Sequence, residues 1–204
     1  PRIRLRDRLG ISQDAVIALS VGYADTRKGA DMLAQATVLA AAKRPDFHVV
    51  WVGHADPQLR SAIEAQLRAA GVVDRFHFVG LDFDTDDYYA GADVYALSSR
   101  EDPFPSVVME SLAVGTPVVA FAGTGGGADL VDGCAGFAVP AFDIEAYAAA
   151  LLRVVGDPVL HARLGAAGAA LIDRDFGFRR YALDLLGLIG VDVARVSAVV
   201  PNYN

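Results

Sequence analysis

The stretch Arg100-Glu101-Asp102-Pro103-Phe104-Pro105-Ser106-Val107-Val108-Met109-Glu110, closed by Gly115-Thr116-Pro117-Val118-Val119, decides how this chain is read. One apolar run, residues 92–97, feeds it, and a second, residues 117–121, follows it. Between these two strands lie a proline-rich acidic loop and a helix ended by Gly115, a residue common where helices stop. Asp102 therefore falls at the carboxyl end of a strand, where open α/β sheets bind their ligands. Glu110 lies one turn into the helix, among Val107, Val108, Met109, Leu112, Ala113 and Val114. A helix apolar on nearly all sides is expected to be buried. A carboxylate there needs partners, or a cavity holding a polar ligand. Two acids so placed point to a site for hydroxyl groups.

Outward from that stretch, apolar runs of strand length alternate with longer helix-like segments. Strands are expected at residues 15–21, 47–53, 75–79 and 136–139, and helices at 29–42, 57–70, 86–90, 144–155, 159–171 and 178–188. Runs such as Val49-Val50-Trp51-Val52 show no polar alternation, as in parallel strands covered on both faces. The alternation predicts an α/β fold with a doubly wound, mostly parallel, Rossmann-like sheet and extra helices at its carboxyl-terminal end. Residues 15–190 form the domain. Residues 1–14, opening Pro1-Arg2-Ile3-Arg4-Leu5-Arg6-Asp7-Arg8, read as a solvated basic linker or short helix.

At 204 residues, 53% of them hydrophobic, the chain is long enough for one well-buried α/β domain and too short for two large ones. A formal net charge of -7 argues against a general nucleic-acid surface. An anionic ligand would need a local cluster of positive charge and backbone N–H groups. The single cysteine, Cys134, excludes an internal disulfide framework and suits a reducing, cytoplasmic compartment. The chain opens without a charged-then-apolar leader, and no apolar run is long enough to span a bilayer.

The first strand ends in Gly22-Tyr23-Ala24-Asp25-Thr26-Arg27-Lys28-Gly29, and a helix starts at Gly29. A loop leading to a helix N-terminus presents unpaired N–H groups and a positive dipole end, a natural phosphate seat. Arg27 and Lys28 add charge there; the plainer reading is a strand-to-helix turn with exposed basic residues. Gly123-Thr124-Gly125-Gly126-Gly127-Ala128 formally matches a dinucleotide fingerprint, but the next strand starts by Gly136, leaving room for barely two helical turns. A dinucleotide-binding βαβ unit needs about 30 residues. The segment reads instead as a loop whose backbone approaches a ligand, or as a turn needing positive φ, with Asp129 opening a short helix. His48, His54, His77 and His161 show no metal-ligand spacing; His48 and His77 read as structural. Asp84, Asp86 and Asp87 read as a solvated helix start rather than a metal site.

The order Gly22…Arg27-Lys28-Gly29, Phe78-Val79-Gly80, Ala92-Asp93-Val94, the acidic loop through Glu110…Gly115-Thr116-Pro117-Val118-Val119, Gly126-Gly127 and Gly136-Phe137-Ala138-Val139-Pro140 resembles the carboxy-terminal domain of GT-B glycosyltransferases, group 1 (family 4, retaining). The resemblance covers residues 9–188 and is most specific over 100–119. It implies binding of a nucleotide diphosphate sugar. The family signature is two glutamates with seven residues between them; here Asp102 takes the first place and Glu110 the second. By that match Glu110 accepts hydrogen bonds from ribose hydroxyls, while Asp102 and the loop Phe104-Pro105-Ser106 face the donor sugar. Lys28 matches the lysine that neutralises the diphosphate, with Gly22, Tyr23 and Arg27 beside it, and the base is expected near Val79-Gly80-Leu81. Asp102, Glu110 and Lys28 are the expected catalytic residues, and no metal or other cofactor is expected.

Three departures stand out. Tyr23 occupies the place of a family arginine, Asp102 is a methylene shorter than glutamate, and Pro105 replaces a common glycine and so offers no N–H. They bear on the donor's identity more than on the fold. The resemblance further implies that a glycan or lipid acceptor is bound by a separate amino-terminal domain, and that the parent works in the cytoplasm or at the cytosolic face of the membrane in surface polysaccharide assembly. A nucleotide-sugar epimerase half and a non-catalytic nucleotide-sugar-binding module are the rival readings. Residues 195–204, ending Val199-Val200-Pro201-Asn202-Tyr203-Asn204, resemble the opening strand of a family 2, GT-A transferase, which would make them the start of a second transferase domain; the plainer reading is an edge strand or tail of this domain.

Overall fold

The computed structural model of the chain describes residues 1–190. Six strands, β1 (Val16–Val21), β2 (Phe47–Val52), β3 (Phe76–Gly80), β4 (Val94–Leu97), β5 (Val118–Phe121) and β6 (Gly136–Val139), form one sheet in the order β3-β2-β1-β4-β5-β6. Every pairing is parallel. The chain winds outward from β1 to β3, then returns to add β4 on the other side of β1. That reversal makes the crevice between the carboxyl ends of β1 and β4 the place where loops diverge and a ligand fits.

Helices α1 (Arg2–Leu9), α2 (Ala30–Lys43), α3 (Pro57–Ala69), α4 (Asp86–Gly91), α5 (Ser106–Ala113), α6 (Gly126–Val131), α7 (Ile144–Gly156), α8 (Pro158–Asp175) and α9 (Phe178–Leu188) follow the expected positions. β1 shows why alternation is absent. Val16 and Ala18 face the layer holding α2 and α7, while Ile17 and Leu19 face the layer holding α1, α4 and α5. Both faces are covered, so both residue sets are apolar. Asp56 and Asp157 cap α3 and α8 by accepting from first-turn N–H groups, with a proline at the start of each helix. No helix among the described residues is long and apolar enough to cross a membrane.

One expectation needs correction. The opening segment does form a short helix, but it is no solvated linker: Leu5 and Arg6 are buried. Arg6 donates to the carbonyls of Ala15 (2.8 and 2.7 Å) and Gly91 (2.9 Å) and to the Asp93 carboxylate (2.6 Å). Asp84, Asp86 and Asp87 do stand at a solvated helix start, with Asp86 and Asp87 in the first turn of α4, and at the surface Arg4 pairs with Asp87 and Arg8 with Asp82. The arginines of α1 are thus all paired, Arg2 and Arg6 with Asp93, Arg4 with Asp87 in α4 and Arg8 with Asp82 in the loop before it. The strand-like run 195–204, and the second transferase domain read from it, lie outside the described residues.

Candidate functional site

The loop after β1 and the loop after β4 meet because a glycine permits it. Gly29 caps α2 with φ 72°, and a Cβ there would lie 1.9 Å from the Ser98 carbonyl oxygen. Arg100 closes the same contact, with its N–H on the Arg27 carbonyl (2.8 Å) and its guanidinium gripping Asp31 through two bonds of 2.8 and 2.6 Å. This bidentate geometry is the stronger form of ion pair. The first turn of α2 therefore already carries a carboxylate and lies under the β4 loop, so it is not the open phosphate seat that the sequence suggested. Positive charge reaches the crevice through side chains instead.

Lys28 leads that set. Its ammonium pairs with the Asp102 carboxylate across the switch point, and only 15% and 10% of the two side chains is exposed. Ser99 Oγ also reaches Asp102, at 3.4 Å. Asp102 N–H donates to the Thr124 carbonyl at 2.8 Å, which fixes the acidic loop against the glycine-rich one. That packing explains the glycines. A Cβ on Gly125 would lie 1.8 Å from the Asp102 carbonyl oxygen, and one on Gly127 2.9 Å from Pro105. Backbone meets backbone there, and the glycine-rich segment serves the acidic loop. The helix that follows it, α6, has six residues, too short for a dinucleotide unit.

Glu110 corrects a second expectation. It is exposed, because α5 buries only Val108, Ser111 and Leu112, and the apolar residues at its other positions lie partly in solvent. Among the described residues it forms no ion pair. Behind it lies a sealed aromatic pair: the Tyr89 and Tyr95 rings stack with centroids 6.0 Å apart, and both are buried. Burial raises the pKa of the Tyr95 hydroxyl; its hydrogen bond to Val21 opposes this, and the Asp102 and Glu110 carboxylates add to the rise. Lys28 and Asp102 thus meet directly at the ends of β1 and β4, while Glu110 stands on α5, the helix that follows the acidic loop.

The remaining expected residues divide. Gly22, Tyr23 and Leu81 line a cavity of about 200 Å³ at the ends of β1–β3, with His54 and Asp82. Gly80 accepts from Gly53 N–H at 2.7 Å beneath it, while Val79 packs partly buried on the α1 and α4 side of the sheet. Arg27 is exposed and donates to the Glu101 carbonyl at 3.0 Å. Phe104 is half exposed, with its ring 6.0 Å from that of Phe176. Ser106 opens α5 on the surface, and Pro105 is buried before it. Tyr89, Tyr95 and the Asp31–Arg100 clamp were missed by sequence reasoning, since an aromatic residue in an apolar run reads as core.

The family model "Glycosyl transferases group 1" matches residues 1–170. The chain belongs to that family. It is 37% identical over 179 residues to the D-inositol 3-phosphate glycosyltransferase of Streptomyces griseus, a match covering 83% of this chain and 38% of that protein. The solved sucrose-phosphate synthase of Thermosynechococcus elongatus superposes with a TM-score of 0.76 at 32% identity, over 93% of this chain and 48% of that one. Anabaena HepE, solved in complex with UDP, gives 0.83 at 22% identity, over 92% and 51%, a likeness of fold. The chain thus spans about half or less of the length of these proteins, from 38% to 51%.

Proposed function

We propose that this chain is the donor-binding domain of a retaining glycosyltransferase that transfers a sugar from a nucleoside diphosphate. The meeting of Lys28 with Asp102 at the switch point of the sheet carries this reading. It puts a cation and an acid in one crevice, beside a small cavity, with a second acid on the next helix. Lys28 and Arg27 hold the diphosphate, Glu110 accepts from the ribose hydroxyls, Asp102 faces the donor sugar, and the base enters the cavity lined by Gly22, Tyr23 and Leu81. When the bond between the sugar and the diphosphate breaks, its electron pair leaves with the diphosphate. A fixed ammonium there stabilises that developing charge more than it stabilises the bound donor. Lys28 supplies this charge, so transfer needs no divalent metal.

The acceptor, a glycan or lipid, is held by another domain of the whole protein, a role suited to a chain that spans 38% of its Streptomyces relative. Reaction requires both partners to be positioned together, so this domain by itself binds donor and transfers little. The relatives solved with UDP make uridine the first base to try. Calorimetry with UDP, GDP and ADP is expected to find micromolar-to-millimolar binding of one class, lost on Glu110→Ala and weakened about tenfold on Lys28→Ala. Equal binding of all three, unchanged in both variants, would defeat the assignment.

A further inference from the structure

We infer that Phe176 is a positioning residue for the donor sugar: standing at the end of α8, it props the Phe104 ring and so fixes the loop 103–106 in the shape that meets the sugar. The inference rests on the donor-site reading given above, in which Asp102 of the acidic loop faces that sugar, and adds a residue from outside the loop.

Two prolines shape the loop. Neither Pro103 nor Pro105 has an N–H, so Phe104 carries the backbone donor between them, and that donor meets no backbone acceptor among the described residues. The glycine-rich segment gives the loop one hold. Gly126 N–H donates to the Pro103 carbonyl at 2.8 Å, and a Cβ on Gly126 would lie 2.7 Å from Phe104 Cδ2. Phe176 gives the other. Its ring centroid is 6.0 Å from that of Phe104 with the planes tilted by 33°, within the range of attractive aromatic pairs. Both rings stay partly exposed, and an exposed ring moves among rotamers unless a neighbour selects one.

Phe176 serves as a prop because its helix is itself clamped to α5. A Cβ on Gly165 would lie 2.2 Å from the Gly115 carbonyl oxygen, and one on Gly168 2.8 Å from Leu112 Cδ2. The contacts of Gly165 with Gly115, Gly168 with Leu112 and Phe176 with Phe104 ascend along one segment as they descend along the other. Helix α8 therefore lies antiparallel to α5 and continues past the acidic loop. Phe176 N–H donates to the Ile172 carbonyl at 2.9 Å, so the ring leaves from the last turn of α8 and not from a free linker. Truncating Phe176 leaves the two glycine contacts, and with them α5 and Glu110, in place. Only the loop is freed.

Calorimetry of the 204-residue chain with UDP, GDP and ADP, and with the glucose and mannose conjugates of whichever diphosphate binds, tests this on wild type, F176A, F176Y, F104A and the double variant F104A/F176A. F176A is expected to bind the bare diphosphate as wild type does, and the better-bound conjugate about fivefold more weakly, the scale of one aromatic pair. F176Y keeps the ring and should bind that conjugate as wild type does. F176A should add nothing to the loss in F104A. Conjugate binding unchanged in F176A would overturn the inference, as would additive losses in the double variant. Equal losses for diphosphate and conjugate would overturn it too, since they mark a merely structural role, as would a wild type that binds the diphosphate and neither conjugate. A wild type that binds none of UDP, GDP and ADP would sink the donor-site reading, and this inference with it.

Discussion

At the amino-terminal edge of the sheet, Arg6 is wholly buried and every direction of its guanidinium meets a carbonyl or Asp93. Nearby, Arg75 donates to His48 at 2.8 Å, and His48 lies 2.9 Å from His77. At the carboxyl-terminal edge Lys28 has Asp102, but Glu110 is exposed and forms no ion pair among the described residues. Both edges concentrate polar groups, and the cavity at the first edge, about 620 Å³ and lined by His48 and His77, is larger than the one beside Gly22. Size therefore does not separate them. Satisfaction does: charge that holds the fold is fully paired within the protein, whereas charge that serves a ligand leaves bonds to be made.

The comparison breaks hardest at Arg6. Arg6→Ala leaves Asp93 without its buried partner and orphans the carbonyls of Ala15 and Gly91, and removing one member of a buried pair costs about 3–5 kcal/mol. Urea unfolding should register that loss, while the folded fraction binds UDP as before. Arg6→Met with Asp93→Asn should recover part of the loss, because no uncompensated charge remains. A loss below 1 kcal/mol for Arg6→Ala would mean that the amino-terminal edge is not the structural one.

A smaller effect lies in pH. Burial above all, then His77 and Arg75, pushes the His48 pKa down to about 4 from 6.5. The unfolded chain thus binds the extra proton first, and stability increases with pH across that interval. The contribution is complete above pH 6.5, declines as pH falls towards 4 and is flat below, amounting to at most about 3 kcal/mol. Urea midpoints measured from pH 4 to 7 should rise accordingly, and His48→Gln should flatten the curve. An unchanged slope in that variant would remove His48 from the network.

The fold was legible because each strand is apolar on both faces and each helix is bounded by residues with one structural use, such as Gly115, Asp56 and Asp157. That Lys28 and Asp102 come together was legible from their places after β1 and β4. What sequence hid was reciprocal. Leu5 and Arg6 belong to a segment whose composition suits solvent, and only the carbonyls of Ala15 and Gly91, distant in sequence, make burial of a guanidinium tolerable. Glu110 was expected within a buried helix, yet α5 covers the sheet with one side only. The glycines at 125–127 left a ligand contact and a positive-φ turn both open; Gly125 does take φ 136°, and its neighbour is the acidic loop itself, a contact that no local pattern encodes.

The smallest effect should come from the charged pair in the crevice, Lys28 with Asp102. In the empty protein the Asp102 carboxylate occupies the ammonium of Lys28, as a diphosphate oxygen would. It therefore competes with the diphosphate and repels it. Asp102→Asn keeps the shape and removes the charge, so the free ammonium should bind UDP about two- to fivefold more tightly, a gain of about 0.5–1 kcal/mol. Saturating UDP should accordingly raise the Tm of the variant more than that of wild type. UDP lacks the sugar that Asp102 is proposed to face, so this gain should coincide with slower transfer in the full-length enzyme. Weaker UDP binding in Asp102→Asn would reverse the argument: the carboxylate would then be holding Lys28 ready for the diphosphate, and the ligand edge would be as self-sufficient as the other.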